Sequence, residues 1–321
     1  LLVEENDPFS QRVRDELIRL VPEGDLSRRA ELAGLVRTRG TLHLAGRGQV
    51  TLTLTTEHPG IARRILTLLR EVAGRPALVR VYQNPRLRRK PIYALSLENG
   101  GETVLEKLGI LGKENRLEKG LKEEFRRRAQ ARRAYLRGLF LGAGSVANPE
   151  KRHHLELVFG DEGQARLARQ LLTGFGLKPG LTQRQHKFVV YLKGGEDIAS
   201  FLNLVGAHQA LLDYENVRAL KSVKNQVNRQ VNADTANLAR TVEAAERHIE
   251  KLKFLARTVG LQSLPAGLRQ VAEARLAHPE ASLAELGQLL DPPLGKSGVN
   301  HRLRKLSQLA DEIREGDKSQ S

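Results

Sequence analysis

The sequence predicts an α+β fold, with two pseudo-symmetric αββαββα half-domains followed by an all-α domain that holds a helix-turn-helix. Three observations predict it. First, Arg28-Arg29-Ala30-Glu31-Leu32-Ala33-Gly34-Leu35 returns 104 residues later as Arg132-Arg133-Ala134-Tyr135-Leu136-Arg137-Gly138-Leu139, with Gly40 and Gly144 at matching distances beyond. Second, strand and helix patterns follow each copy in the same order. Third, after residue 211 the readable periodicity is helical.

The elements of copy one follow in order. Val50-Thr51-Leu52-Thr53-Leu54 alternates with period two, as a half-buried strand does. Residues 59–73 place Ile61, Ile65, Leu68, Leu69 and Val72 on one helical face. Strands are expected at about 77–83 and 91–98, and a short helix at about 102–108. In copy two the counterparts are a strand at Leu155–Phe159, a helix at 162–174, strands near 181–184 and 187–193, and a helix from about 196. The charged bridge at about 110–130 is expected to be helical. Ala30 and Gly34, like Ala134 and Gly138, are four apart. Small residues at that spacing clear one face and let two helix backbones approach closely. The opening helices are therefore expected to cross on the pseudo-twofold axis. This duplicated domain is assigned to 1–211, with halves at about 10–110 and 130–211.

Residues 212–260 read as an Asn-rich helical linker. Val217, Leu220, Val223, Val227 and Val231 recur at helical spacing, and Leu238 and Val242 extend the stripe. Asparagine is a poor helix former, so Asn216, Asn225, Asn228, Asn232 and Asn237 need a reason, either as a polar brace or as contacts to a phosphate or base. Residues 261–321 form the last domain, with its motif at about 281–314. A helix is expected at 265–277. Ser282-Leu283-Ala284-Glu285 is a capping box opening a helix to Leu290. Asp291-Pro292-Pro293-Leu294-Gly295 breaks that helix. Ser297 is then expected to cap another, with Val299, Leu303, Leu306 and Leu309 facing inward and fraying after Arg314.

The 321 residues contain no cysteine, which removes disulfides, thiolate catalysis and Cys-based zinc sites. The histidines lack metal-binding spacing, so no metal and no cofactor is expected. No apolar run approaches the roughly 18–20 residues of a membrane span, and no signal-peptide pattern opens the chain. A cytoplasmic, nucleoid-associated location without membrane contact is expected. The net charge of +16 points to a polyanionic partner. Residues 294–309 carry Lys296, Arg302, Arg304 and Lys305 and no acid.

At the repeats the chain resembles LAGLIDADG homing endonucleases: Leu32-Ala33-Gly34-Leu35-Val36-Arg37-Thr38-Arg39-Gly40 and Leu136-Arg137-Gly138-Leu139-Phe140-Leu141-Gly142-Ala143-Gly144 fit their nine-residue motif. The resemblance implies that an acid before each final glycine would hold the catalytic metals. Those positions are Arg39 and Ala143 here. Hard divalent ions need oxygen ligands, which neither residue supplies. The expectation is a scaffold without the chemistry; the alternative is a metal-dependent endonuclease with non-standard ligands. With Asn228-Arg229-Gln230-Val231-Asn232 and Ser297-Gly298-Val299-Asn300-His301-Arg302-Leu303-Arg304-Lys305-Leu306, the whole chain is similar to the WhiA family of bacterial regulators. This implies a sequence-specific DNA-binding transcriptional regulator of cell division, chromosome segregation or sporulation. Its partners would be promoter DNA and a protein co-regulator or RNA polymerase.

A helix-turn-helix lays its second helix in the major groove. The expected DNA-binding residues are Ser282, Lys296, Ser297, Asn300, His301, Arg302, Arg304 and Lys305. Arginine suits guanine O6/N7 and asparagine suits adenine N6/N7. Secondary contacts are expected from Arg86, Arg88, Arg89 and Lys90 in one hairpin, Lys151 and Arg152 in its counterpart, and Arg218, Asn228 and Arg229 in the linker.

Overall fold

The computed structural model describes residues 7–44, 50–83, 91–112 and 116–318. The chain divides into two compact units, residues 1–222 and 223–321.

The first unit opens with a helix that the sequence reading overlooked, α1 (Pro8–Arg19). Asp7 caps it by accepting from Phe9 N at 2.9 Å, and Phe9, Val13 and Leu17 are buried one turn apart. The first half follows as α2 (Gly24–Arg39), β1 (Gly40–Leu44), β2 (Val50–Thr56), α3 (Pro59–Ala73), β3 (Leu78–Gln83), β4 (Pro91–Leu97) and α4 (Gly101–Lys107). Burial alternates along β2, as its period-two sequence requires. Pro59 and the His58 imidazole, which accepts from Gly60 N and Ile61 N, start α3. Gly74 ends it in the left-handed conformation (φ 69°).

The second half repeats this order: α6 (Ala129–Ala143), β5 (Gly144–Val146), β6 (Leu155–Phe159), α7 (Glu162–Thr173), β7 (Gly180–Arg184), β8 (Lys187–Leu192) and α8 (Gly195–Val205). The two antiparallel sheets have equivalent orders, β1-β2-β4-β3 and β5-β6-β8-β7. Between the halves, the described residues contain only one short helix, α5 (Glu123–Arg127), and a lone bridge pairing Leu111 with Leu117. The helix expected over 110–130 is therefore corrected, among the described residues, to a mostly irregular connection. Arg37 organises it, donating to the carbonyls of Gly109, Glu118 and Gly120.

The central element is the α2–α6 crossing, and glycine makes it possible. A Cβ on Gly34 would lie 2.8 Å from Leu139 N and closer still to Tyr135 O. A Cβ on Gly138 would strike Glu31 O and lie 3.1 Å from Gly34 Cα. Leu32, Leu35, Leu136 and Leu139 are almost fully buried around this contact. Glu31, fully buried, joins the halves: it accepts from Arg64 Nε of α3 at 2.7 Å and from Arg137 Nη1 of α6 at 3.1 Å.

Helix α9 (His208–Thr258) runs unbroken through the Asn-rich segment. In the second unit its last turns are followed by α10 (Ala266–Ala277), α11 (Leu283–Gln288) and α12 (Lys296–Lys318). Leu252, Leu255, Leu264, Val271, Leu286, Val299, Leu303 and Leu306 form this unit's core. Two expectations are corrected: α12 begins at Lys296, so Ser297 lies within its first turn rather than capping it, and the helix continues past Arg314 to Lys318.

Candidate nucleic-acid interface

Two places in the fold bear on function. The first is where α2 and α6 end. Gly40 and Gly144 follow the helices directly and start β1 and β5. A cavity of about 800 Å³ opens there, lined by Thr38, Arg39, Ala143, Glu156, Arg184 and Lys187 among others. Arg39 Nε donates to the Gly142 carbonyl, and Arg14 Nη2 of α1 donates to the Gly144 carbonyl at 2.6 Å. Two guanidinium groups thus sit at the C-terminal end of α6, where the helix dipole is negative. The carboxylate in the cavity lining is Glu156. It is buried and lies 3.3 Å from His154 Nε2 and 3.8 Å from Arg184 Nη1. A divalent ion would face arginines and a carboxylate already neutralised by its neighbours, so these residues do not fit a metal centre. Among the described residues no three His, Cys, Asp or Glu side chains gather as a metal-binding group.

The second place is the pair α11 and α12. Ser282 caps α11, accepting from Glu285 N at 3.3 Å while its own N–H donates to Glu285 Oε2 at 2.7 Å. Hydrogen bonds to the carboxylate from the Ser282 N–H and then its hydroxyl hold the Glu285 carboxyl below its usual pKa. Gly287 lets the following turn fold back: a Cβ there would strike Leu294 O and lie 3.3 Å from Val299 Cγ2. Leu294 N donates to Gly287 O at 2.9 Å. Behind them, buried Arg275 donates to the carbonyls of Pro279 and Ala281 and fixes the approach to α11.

Val299, Leu303, Leu306 and Ala310 form the buried face of α12. On a 3.6-residue helix, Ser297, His301, Arg304 and Gln308 fall on the opposite face, with Lys305 beside them. All five are exposed, and Lys296 is exposed at the helix start. Asn300 is half-buried on the flank. None of Lys296, Ser297, Asn300, His301, Arg304 and Lys305 has a side-chain hydrogen bond or ion pair among the described residues. Arg302 differs. It is half-buried on another flank, and its Nη1 donates to Gly267 O of α10 at 3.0 Å. Its cation ties α12 to α10. Gln308 is the position that sequence reasoning missed; its spacing of eleven from Ser297 was the available signal.

The remaining candidates are scattered. Arg86, Arg88, Arg89 and Lys90 lie outside the described residues. Lys151 and Arg152 are exposed in the turn between β5 and β6. Arg218 is half-buried and pairs with Glu215 at 2.6 Å. Asn228 and Arg229 are exposed on α9.

The fold and its sites define a class: a duplicated LAGLIDADG-like scaffold whose helix ends lack the acid pair, carried in one chain with a helix-turn-helix. Comparison with known proteins narrows the class. Residues 25–111 match the WhiA N-terminal LAGLIDADG-like domain, 132–224 the WhiA LAGLIDADG-like domain, and 227–310 the WhiA C-terminal HTH domain. The chain belongs to the WhiA family. It is 46% identical over 305 residues to the probable cell division protein WhiA of Heliobacterium modesticaldum, covering 94% of this chain and 96% of that protein. With the corresponding protein of Desulforamulus reducens it shares 44% identity over 311 residues, covering 96% and 97%. The crystal structure of full-length WhiA from Thermotoga maritima matches with a TM-score of 0.59 at 26% identity, covering 95% of this chain and 98% of that one.

Proposed function

We propose that this protein is a sequence-specific duplex-DNA-binding regulator of transcription, acting on cell division, as the names of its relatives suggest, and in spore-forming hosts on sporulation. The observation that carries this reading is the solvent-facing row Ser297, His301 and Arg304 on α12, flanked by Asn300 and Lys305, which makes no internal polar contact within an acid-free stretch. Such a row suits base edges in a major groove, with Arg304 toward guanine and Asn300 toward adenine. Lys296 and the free N–H groups of the first turn of α12 suit a phosphate. Ser282 and α11 would position the reader against the backbone. The duplicated domain would act without cutting. Lys151, Arg152 and Arg229, with Arg86, Arg88, Arg89 and Lys90, would add sequence-independent affinity, and a co-regulator or RNA polymerase is a further partner. Arg302 and Arg218 are assigned structural roles instead.

Arg304→Ala with Asn300→Ala is expected to lower affinity for the selected promoter by roughly 5- to 150-fold per lost base contact. Lys305→Ala should weaken all sequences alike and reduce the salt slope by about one. A promoter footprint unchanged in the double variant refutes the reading. Plasmid incubated with the protein and Mg²⁺ or Mn²⁺ should stay intact, and dose-dependent nicking would revive the endonuclease alternative.

A further inference from the structure

Helix α9 exposes an apolar stripe. Leu220, Val223, Val227, Val231, Leu238 and Val242 are between 47% and 72% exposed. Single exposed apolar residues need no explanation, but a continuous row along one helix marks an interaction surface.

The spacing specifies what fits it. Alternating steps of three and four residues place Leu220, Lys224, Val227, Val231, Asp234 and Leu238 on one seam, the core pattern of a heptad. The two charged members have opposite signs. The seam is also palindromic. Leu220 and Leu238 stand nine residues either side of Arg229, Lys224 and Asp234 five, and Val227 and Val231 two.

We propose that this stripe is the seam of an antiparallel homodimer with its twofold axis beside residue 229. Leu220 then meets Leu238 of the second copy, Lys224 meets its Asp234, and Val227 meets its Val231. A parallel pairing would set Lys224 against Lys224 and Asp234 against Asp234, burying like charges together. Two symmetry-related polar layers in an otherwise apolar seam fix register and orientation at a cost in stability, so the dimer forms in a concentration-dependent way. The flanking positions agree. Asn228 faces Asn228 and Gln230 faces Gln230 across the axis, and amides both donate and accept, so each pairs with its own copy. The same surface on both copies closes the assembly at two. The seam also accounts for some of the asparagines, and it leaves Asn225, Arg229 and Asn232 on the outer side.

The test is sedimentation velocity of the full chain over a concentration series. A monomer–dimer equilibrium is expected. Lys224→Asp or Asp234→Lys alone should weaken it roughly tenfold or more, and the combined swap should restore it. Because the chain has no cysteine, an equal mixture of Val227→Cys and Val231→Cys variants should oxidise to the mixed disulfide, and each variant alone far less. A chain that stays monomeric at the highest attainable concentration overturns the proposal. So does a dimer indifferent to the charge swap, or a Val227→Cys variant that links to itself as efficiently as the mixture. If the monomer's stripe gains hydrogen-exchange protection only when duplex DNA is added, the surface belongs to DNA.

Discussion

Replacing Glu31 with glutamine should separate what charge contributes to joining the two halves from what packing contributes. The carboxylate is fully buried, with Arg64 at 2.7 Å and Arg137 at 3.1 Å. The Arg64 side chain is 7% exposed and its Nη2 already lacks a hydrogen-bond partner. Removing the negative charge leaves that guanidinium without a counter-ion, and breaking a buried pair from one side costs about 3–5 kcal/mol. Arg137 is 14% exposed, so water recovers part of the loss there, and the lower end, about 3 kcal/mol, is expected. In a unit of this size each kcal/mol moves Tm by roughly 2–4 °C, so melting should fall by about 6–12 °C. The assay is selective. All five tyrosines lie in residues 1–222 and there is no tryptophan, so near-UV circular dichroism of the full chain follows this unit. Glu31→Gln with Arg64→Met should recover much of the loss, because an apolar pair tolerates the site that a lone cation does not. A Glu31→Gln variant melting within about 2 °C of the parent refutes the reasoning.

Two further predictions use the same measurements. Gly138→Ala should destabilise the first unit by about 1–3 kcal/mol, because the added carbon runs into the backbone of α2 at Glu31 and Gly34, whereas Gly160→Ala, with nothing within 4 Å, should be nearly neutral in near-UV melting. In the second unit, burial first, and then Arg275, Arg247 and Lys251, push the His248 pKa below its ordinary value of 6.5. The unfolded chain therefore binds the proton first. Stability is complete above about pH 6.5 and declines as pH falls from there toward the folded pKa. His248→Gln should flatten that decline in far-UV melts, and an unchanged pH profile would assign it to other groups.

Where an element marks its own ends, the sequence reveals it. Helix α3 was legible to the residue, because Pro59 opens it, Gly74 closes it and its apolar stripe runs between them. The strand Leu155–Phe159 and the Ser282 capping box were legible for the same local reason. The segment 110–130 was not. Its charges resemble those of a solvated helix, but its path follows Arg37 reaching three carbonyls some 70 to 80 residues away in sequence. In α12 the sequence disclosed the charges but not their direction. Arg302 and Arg304 are two residues apart, and only the phase set by Val299 and Leu303 sends one to Gly267 and the other to solvent. The start of α12 at Lys296 moved Ser297 from cap to first turn, a shift of two residues that is below what local pattern resolves. The short helix α1 was missed, although Asp7-Pro8 and the spacing of Phe9, Val13 and Leu17 carried its signal.

The duplicated halves differ at a pair of positions where they meet by charge. Where the first repeat has Glu31 and Ala33, the second has Tyr135 and Arg137. Two first halves brought together would set each Glu31 opposite an alanine. Two second halves would bury Arg137 against a tyrosine whose hydroxyl, fully enclosed, is pushed up to a pKa of about 12 and cannot supply the missing charge. Only the mixed pair completes the ion pair. The repeat has thus become a lock and a key cut from one blank, and neither half can take the other's place, although their folds are nearly the same.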